Sequence, residues 1–426
     1  MRVLIVNTSE NTGGAAVAAN RLMEALNHSG IKAKMLVRDK NTHALTVVRL
    51  PHPRIGWLRF AWERFLILLS LRMSRKHLYE VDTAWCGKDI TSLQEFREAD
   101  VIHLHWVNQG MLSLRDLRAI LHSGKPVVWT MHDFWPATGI CHYPHDCEAF
   151  LGKCHNCQYL SGGGSASDLS SRIWKQKADI LSRYRVTFVT CSQWLRSRVE
   201  NSRLLRNQQV LSIPNTIDTH LYRPADKKSV RCRLNLPSDR KLILFVSQKI
   251  TDPRKGVGYF LEACRILASS APDAGERYGV IILGGNADRF RDMLPLPVYP
   301  IGYVSNQQRI IDVYNCADLF VLPSLEDNLP NTIMEAMACG VPCVGFNTGG
   351  IPEMIDHRQN GYVAHERDAA DLYEGMRYVL DNEDYQSLSR AAVGKVHSSY
   401  SQDSVARRYI EAYENACRPI LRKKSR

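Results

Sequence analysis

Short apolar runs alternate with stretches of helical period along most of the chain. In the first half the runs occupy residues 3–7, 34–38, 101–105, 127–131, 187–191 and 210–213. Helix patterns follow several of them: Gly13-Gly14 precedes an amphipathic stretch at 15–27, and Ser192 opens another at 193–200. Pro214-Asn215-Thr216-Ile217-Asp218 interrupts the series, and a second one runs through 241–247, 280–284, 298–301, 319–322 and 343–346. A helix pattern at 401–417 comes last. Strands alternating with helices predict parallel sheets, and the interruption predicts two of them. The expected fold class is α/β, with two Rossmann-like domains facing a cleft. Their expected bounds are 1–214 and 215–400, followed by a helix and basic tail at 401–426. Ligands of such sheets sit beyond the carboxyl ends of the strands, so the segments after the apolar runs are where chemistry is sought.

Composition narrows the class. A chain of 426 residues has length enough for two cores, and 45% apolar with 23% charged residues is ordinary for a globular enzyme. No apolar stretch reaches the roughly 20 residues of a spanning helix, and the first residues read as a buried strand rather than a secretion signal, so a cytoplasmic protein is expected. The net charge of +12 suits an anionic partner. Part of it lies in the tail, at Arg418, Arg422, Lys423, Lys424 and Arg426. Another part lies at 54–76, where Arg59, Arg64, Arg72, Arg75 and Lys76 mix with Trp57, Leu58, Trp62 and Phe65. That mixture has two readings, a helix lying in an anionic membrane interface or a helix packed on its own domain with arginine stems over the surface.

The densest chemistry follows the run at 319–322. Glu326 and Asp327 fall in a turn, Asn331 and Thr332 begin a helix pattern, and Glu335 is expected in its first turn. Carboxylates accept hydrogen bonds from hydroxyls, while the N–H groups of a helix start attract an anion. A ligand carrying both hydroxyls and phosphate, a nucleotide sugar, suits that pair of features. The segment after 241–247 supplies cations at Lys249, Arg254 and Lys255, which stabilise charge on a departing diphosphate. In the first half, Gly13 and Gly14 let the backbone approach a ligand closely, and His132 ends an apolar run.

Asp327 and Glu335 stand eight positions apart, and Glu335-Ala336-Met337-Ala338-Cys339-Gly340-Val341-Pro342 continues from the second. This resembles the signature of retaining glycosyltransferases of family four (glycosyltransferase group 1), where two acids eight apart lead into Glu-Ala-x-Ala-x-Gly-x-Pro. The resemblance covers residues 213–364 in motifs and the first half in architecture. It implies a GT-B fold, with the last helix crossing back to the first domain, and retaining transfer of a hexosyl group from a UDP- or GDP-sugar. It places Asp327, Glu335, Lys255 and His132 at the reaction. It places Gly13, Gly14, Lys249, Gly284, Tyr303, Glu326, Asn331 and Thr332 with them around the donor. Lys249 stands where an arginine is usual, and either Glu326 or Asp327 takes the first-acid role. The loop after His132-Asp133-Phe134-Trp135-Pro136 is similar to that of bacterial exopolysaccharide and colanic-acid-type transferases. A saccharide acceptor, lipid-linked and met at the inner membrane face, follows from that likeness. No cofactor is implied for the transfer itself.

Four of the twelve cysteines, Cys141, Cys147, Cys154 and Cys157, crowd into one loop, the last two as Cys-x-x-Cys. Four thiolates complete a tetrahedral structural zinc site and hold a loop too small for its own core; disulfides are the other use of such a cluster, in an oxidising compartment. Two rival functions remain. A nucleotide-sugar epimerase on the same fold needs no acceptor, and the basic aromatic segment argues against it. A nucleic-acid-binding protein would explain the charge and the cysteines, but the second half resembles no nucleic-acid module, so no nucleic-acid partner is expected.

Overall fold

The computed structural model describes residues 1–160, 162–249 and 252–418, apart from the side chains of Gln248 and Lys249. The donor contact expected of Lys249 and the tail charges from Arg422 onward lie outside that description. The chain forms two compact units, Met1–Thr216 together with the chain from Val405, and Ile217–Ser404.

The first unit is built on a seven-stranded sheet among the described residues. Its strands are β1 (Arg2–Ser9), β2 (Lys32–Asp39), β3 (Val47–Arg49), β4 (Val101–Leu104), β5 (Val127–Met131), β6 (Thr187–Thr190) and β7 (Gln209–Ser212). They lie in the order β3-β2-β1-β4-β5-β6-β7, every pair parallel. Successive residues of a strand point to opposite faces, and here both faces are buried. Leu4, Val6, Ile102, Leu104 and Trp129 enter one core; Val3, Ile5, Val101, Val128 and Val189 enter the other. The second core is covered by the helix Gly14–His28 and by Val405, Tyr409, Ala412 and Tyr413 of the helix Gln402–Cys417, positions that recur on one helical face. The last helix therefore does return to the first sheet.

The second unit carries a six-stranded parallel sheet of β8 (Lys241–Lys249), β9 (Tyr278–Gly285), β10 (Val298–Gly302), β11 (Leu319–Leu322), β12 (Cys343–Phe346) and β13 (Gly361–Ala364). The order is β10-β9-β8-β11-β12-β13. Ile243, Phe245, Val280, Ile282 and Val321 pack against Phe260 and Leu372 from the helices Val257–Ser269 and Ala369–Leu380. In each sheet the strand order reverses once, between β1 and β4 and between β8 and β11. A crevice opens beyond the carboxyl ends at such a reversal.

The helix Pro53–Ser70 contradicts the usual polarity of a surface helix. Its buried residues are Glu63, Arg64 and Ile67, while Trp57, Leu58, Trp62, Phe65 and Leu69 are exposed, Trp57 at 64%. Arg64 is not laid over the surface, as the packed-helix reading expects; it is buried in an ion pair with Asp82 at 2.6 Å. Packing on its own domain explains only the Glu63–Arg64–Ile67 side. Among the described residues no helix is long and apolar enough to cross a membrane.

Candidate active site

The reversal between β8 and β11 brings together the loops after those strands. Lys255, in the 3₁₀ turn Pro253–Lys255, places its ammonium 2.6 Å from the Asp327 carboxylate. Ser324 Oγ donates to the same oxygen at 3.3 Å. Two glycines allow the loops to meet. Gly256 has a φ of 64°, and a Cβ there would stand 1.8 Å from the Pro323 carbonyl oxygen. Gly349, after β12, has a φ of 59° and would carry its Cβ 1.8 Å from the Asp327 carbonyl oxygen. Main-chain bonds complete the frame: Leu325 N–H donates to Arg254 O at 2.7 Å and Gly350 N–H to Asp327 O at 3.1 Å. Arg254 itself is taken up by Asp252, at 2.9 Å within its own turn.

The helix Asn331–Ala338 starts directly after this turn. Its N-cap is Pro330, which makes no side-chain cap bond; the positive end of the helix dipole is thus offered next to Lys255. Asn331 and Thr332, in its first turn, are half-buried. Glu335 is the fifth residue of the helix and no acid lies in the first turn, which corrects the expected position. The physical reason is that Leu329 and Pro330 extend the turn before the helix begins. Glu335 is instead buried at 9% exposure, and its Oε2 accepts the hydroxyl of Tyr314 from the helix Gln307–Cys316 at 2.7 Å. Tyr314 carries no signal in the sequence that would have paired it with Glu335. Glu326 is half-buried in the turn beside Asp327.

Tyr303, after β10, is 71% exposed. Gly284 serves the sheet: with φ 142°, its Cβ would stand 1.9 Å from the Ser247 carbonyl oxygen at a register shift between β8 and β9. That close approach, rather than ligand access, is the constraint the geometry displays there.

In the first unit, Gly13 caps the helix Gly14–His28 with φ 91°, no side-chain cap bond, and open space where a Cβ would lie. Glu10, 1% exposed, holds the neighbouring loop by accepting the N–H groups of Asn41 at 2.6 Å and Thr42 at 2.9 Å. His132 follows β5 and is half-buried. Its Nε2 lies 2.9 Å from His105 Nδ1, and its Nδ1 lies 3.6 Å from the Cys191 sulfur. Burial, with the neighbouring histidine charges adding for His103 and His105, holds these imidazoles neutral: His132 is pushed down to about 4, His103 to about 3, and His105 well below the usual range. His103 does not line a cleft. It is fully buried, with Nδ1 bonded to Tyr413 at 2.7 Å and Nε2 to Thr130 at 2.8 Å.

The loop after β5 is fixed by Asp133, which accepts Trp106 Nε1 at 2.9 Å and Trp135 N–H at 2.9 Å and pairs with His142 at 2.7 Å. Cys141, Cys147, Cys154 and Cys157 all line one small cavity in this loop and all are free thiols. Among the described residues no three His, Cys, Asp or Glu side chains stand at the spacing of metal ligands, so the closed cage expected from the sequence is not assembled as these thiols lie.

Comparison with known proteins bears on the whole arrangement. Residues 12–221 match the model described as Glycosyltransferase Family 4, and residues 240–382 the model described as Glycosyl transferases group 1. The chain is similar to a D-inositol 3-phosphate glycosyltransferase of Thermobispora bispora, 23% identical over 76% of this chain and 72% of the relative. It is also similar to an N,N'-diacetylbacillosaminyl-diphospho-undecaprenol alpha-1,3-N-acetylgalactosaminyltransferase of Campylobacter jejuni, 24% identical over 57% of this chain and 65% of the relative. Among solved structures, HepE of Anabaena in complex with UDP superposes with a TM-score of 0.64 at 16% identity, over 97% of this chain and 100% of that one. Sucrose-phosphate synthase from Thermosynechococcus elongatus gives the same TM-score at 16% identity, over 97% and 98%. These likenesses show the fold, GT-B. The chain carries glycosyltransferase family 4 and group 1 domains and is a glycosyltransferase.

Proposed function

We propose that this glycosyltransferase moves a hexosyl group, with retention, from a UDP- or GDP-sugar to a saccharide acceptor that is lipid-linked, in the building of a bacterial surface polysaccharide. One observation carries the donor half of that reading: the Lys255–Asp327 pair at the strand-order reversal, beside a helix start without a side-chain cap. A diphosphate arriving there meets an ammonium already held in place and the N–H groups of the helix start. As the sugar–phosphate bond breaks, negative charge grows on the diphosphate, and fixed cations and dipoles stabilise that charge more than they do the ground state. Asp327, with Glu326 beside it, accepts sugar hydroxyls at the same rim. Glu335, oriented by Tyr314, accepts hydroxyls deeper in the site. His132, the first-unit group that the family resemblance assigns to the sugar, is neutral at pH 7 and so suited to hydrogen bonding rather than to acting as a cation. No base is assigned to the acceptor hydroxyl; the departing phosphate oxygen is available to take its proton.

The acceptor half rests on the helix Pro53–Ser70. Trp57, Trp62 and Phe65 stand exposed, flanked by Arg54, Arg59, Arg72, Arg75 and Lys76. Tryptophan with arginine and lysine is the composition of a helix lying in an anionic lipid interface. An enzyme whose acceptor is anchored in lipid gains from such a face. The named relative from Campylobacter jejuni acts, by its name, on an undecaprenol-linked saccharide, which agrees with this reading.

The test is donor binding by calorimetry across UDP- and GDP-sugars, with the anomeric configuration of the product read by NMR. One nucleotide sugar should bind selectively, Glu335→Ala should abolish that binding, and the new linkage should keep the donor's configuration. Undiminished affinity in Glu335→Ala, or an inverted product, overturns the reading.

A further inference from the structure

Among the described residues of 139–168 the three-residue 3₁₀ turn Ala149–Leu151 is the one regular element. A structureless loop of that length inside a compact domain needs something to hold it. Its centre is a cavity faced by Cys141, Cys147, Cys154 and Cys157 together. Cys141 and Cys154 are each 8% exposed.

One backbone donor is aimed at these sulfurs, and the turn between them is specific. Gly139 N–H donates to Cys154 Sγ at 3.2 Å, and Leu160 N–H donates to the Cys157 carbonyl oxygen at 3.0 Å, closing the turn. Backbone donors aimed at sulfur bond weakly to a thiol and strongly to a thiolate. Asn156, between the Cys-x-x-Cys pair, has a φ of 47°. Asp168, N-cap of the helix Leu169–Arg183, accepts the Cys157 N–H at 2.9 Å and fixes the turn from outside. Gly139 lets the chain pass close by: a Cβ there would lie 3.1 Å from Cys154 Cβ and 2.6 Å from Ser170 O.

A basic side chain stands beside the cavity. Lys177 is 4% exposed and donates to the carbonyls of Trp135 at 2.6 Å and Thr138 at 3.0 Å, with its ammonium 3.4 Å from the centre of the Trp135 ring. No carboxylate lies within ion-pair distance of it among the described residues; Cys154, Cys141, Asp133 and Asp82 stand within Coulombic reach, and burial pushes its pKa down to about 7.

We infer that Cys141, Cys147, Cys154 and Cys157 bind one zinc ion as a tetrathiolate, stapling the loop 139–168 behind His132. Binding releases four thiol protons to solvent and leaves a centre of net charge −2, beside which an ammonium at Lys177 is stabilised. The sulfurs do not yet stand at ligand spacing. A change of χ1 rotamer moves a cysteine sulfur by about 3 Å, and the four share one cavity, so binding includes rotation of cysteine side chains into that space. Softness selects the metal: four thiolates in a tetrahedral cage favour zinc among common cellular divalent ions.

The test uses the full chain, purified without an affinity tag or added metal. Elemental analysis should find about one zinc per chain. After chelation and exchange, cobalt(II) should give thiolate-to-metal charge-transfer absorption and tetrahedral d–d bands. Cys154→Ser with Cys157→Ser should lower bound zinc to background; because that variant can misfold, the wild-type cobalt spectrum decides independently. Folded wild-type protein that holds no metal and gives no cobalt bands overturns the inference. So does mass analysis showing the four thiols paired as disulfides, or an iron–sulfur chromophore in place of zinc.

Discussion

Gly256→Ala isolates the contact on which the donor-side frame depends. The new Cβ would stand 1.8 Å from the Pro323 carbonyl oxygen, whereas a carbon and a carbonyl oxygen meet at about 3.3 Å. The loops after β8 and β11 must then part by roughly 1.5 Å. Alanine at a φ of 64° adds about 1–2 kcal/mol of left-handed strain. Separation also breaks the Leu325 N–H bond to Arg254 O, worth about 1 kcal/mol. Together these reach about 2–3 kcal/mol, which in a unit of this size lowers Tm by about 5–10 °C. The effect on the site is larger than the effect on stability, because parting the loops pulls Lys255 from Asp327, and a displacement near 1 Å costs on the order of 100-fold in a positioned reaction. Gly258→Ala is the control two residues on, inside the helix Val257–Ser269 with nothing within 4 Å of its Cβ. It should leave donor affinity unchanged and Tm equal or higher, since alanine favours the helix. Differential scanning fluorimetry and donor calorimetry on both variants check the pair. Wild-type Tm and affinity in Gly256→Ala, or equal losses in the two variants, would refute the argument.

Two more predictions follow from buried and exposed groups of the helix Pro53–Ser70. Wild-type protein should cosediment with vesicles containing anionic phospholipid and be released by salt, and Trp57→Ser with Trp62→Ser should lose the binding at unchanged Tm; vesicle binding that survives the double change removes that face from the acceptor reading. Glu63 lies against Asp82, Arg64 and the Cys86 thiol, and burial first, then the Asp82 charge, pushes its pKa up to about 8 from 4.5. The folded state therefore keeps a proton that the unfolded chain gives up, so the stability from Glu63 is complete below about pH 4.5 and is lost as pH rises to about 8. Glu63→Gln, which cannot ionise, should gain Tm over wild type progressively across that window, and parallel Tm–pH curves for the two proteins would contradict the buried-carboxyl account.

Much of the framework was legible because long apolar runs between helix patterns leave few topologies. The run at 3–7 lies within β1, the run at 241–247 within β8, and the motif from Asp327 to Pro342 follows β11 as its spacing implied. Two edge strands were not legible: β3 is three residues long, and β13 follows a turn with a single apolar pair, Tyr362-Val363, at its centre. The helix Pro53–Ser70 shows why direction is harder to read than existence. Charges ordinarily face water, so nothing local announces that Glu63 and Arg64 turn inward; that choice is made by Asp82, Thr83 and the Trp85 N–H, some twenty residues away. Glu335 and Tyr314 are a pair of the same kind, joined only by the packing of two helices.

Around the candidate donor site the closest approaches are glycines against main chain: Gly256 against the Pro323 carbonyl, Gly349 against the Asp327 carbonyl, Gly284 against the Ser247 carbonyl. These three approaches do not depend on which side chains adjoin them. None of the three close approaches involves the side chains of Glu326, Asn331, Thr332 or Tyr303, so exchanging those side chains leaves these backbone contacts in place. The protein thus separates a fixed mould from a replaceable lining. A library aimed at a different donor sugar belongs at those four positions, and each of the three glycines should be left untouched in every member of it.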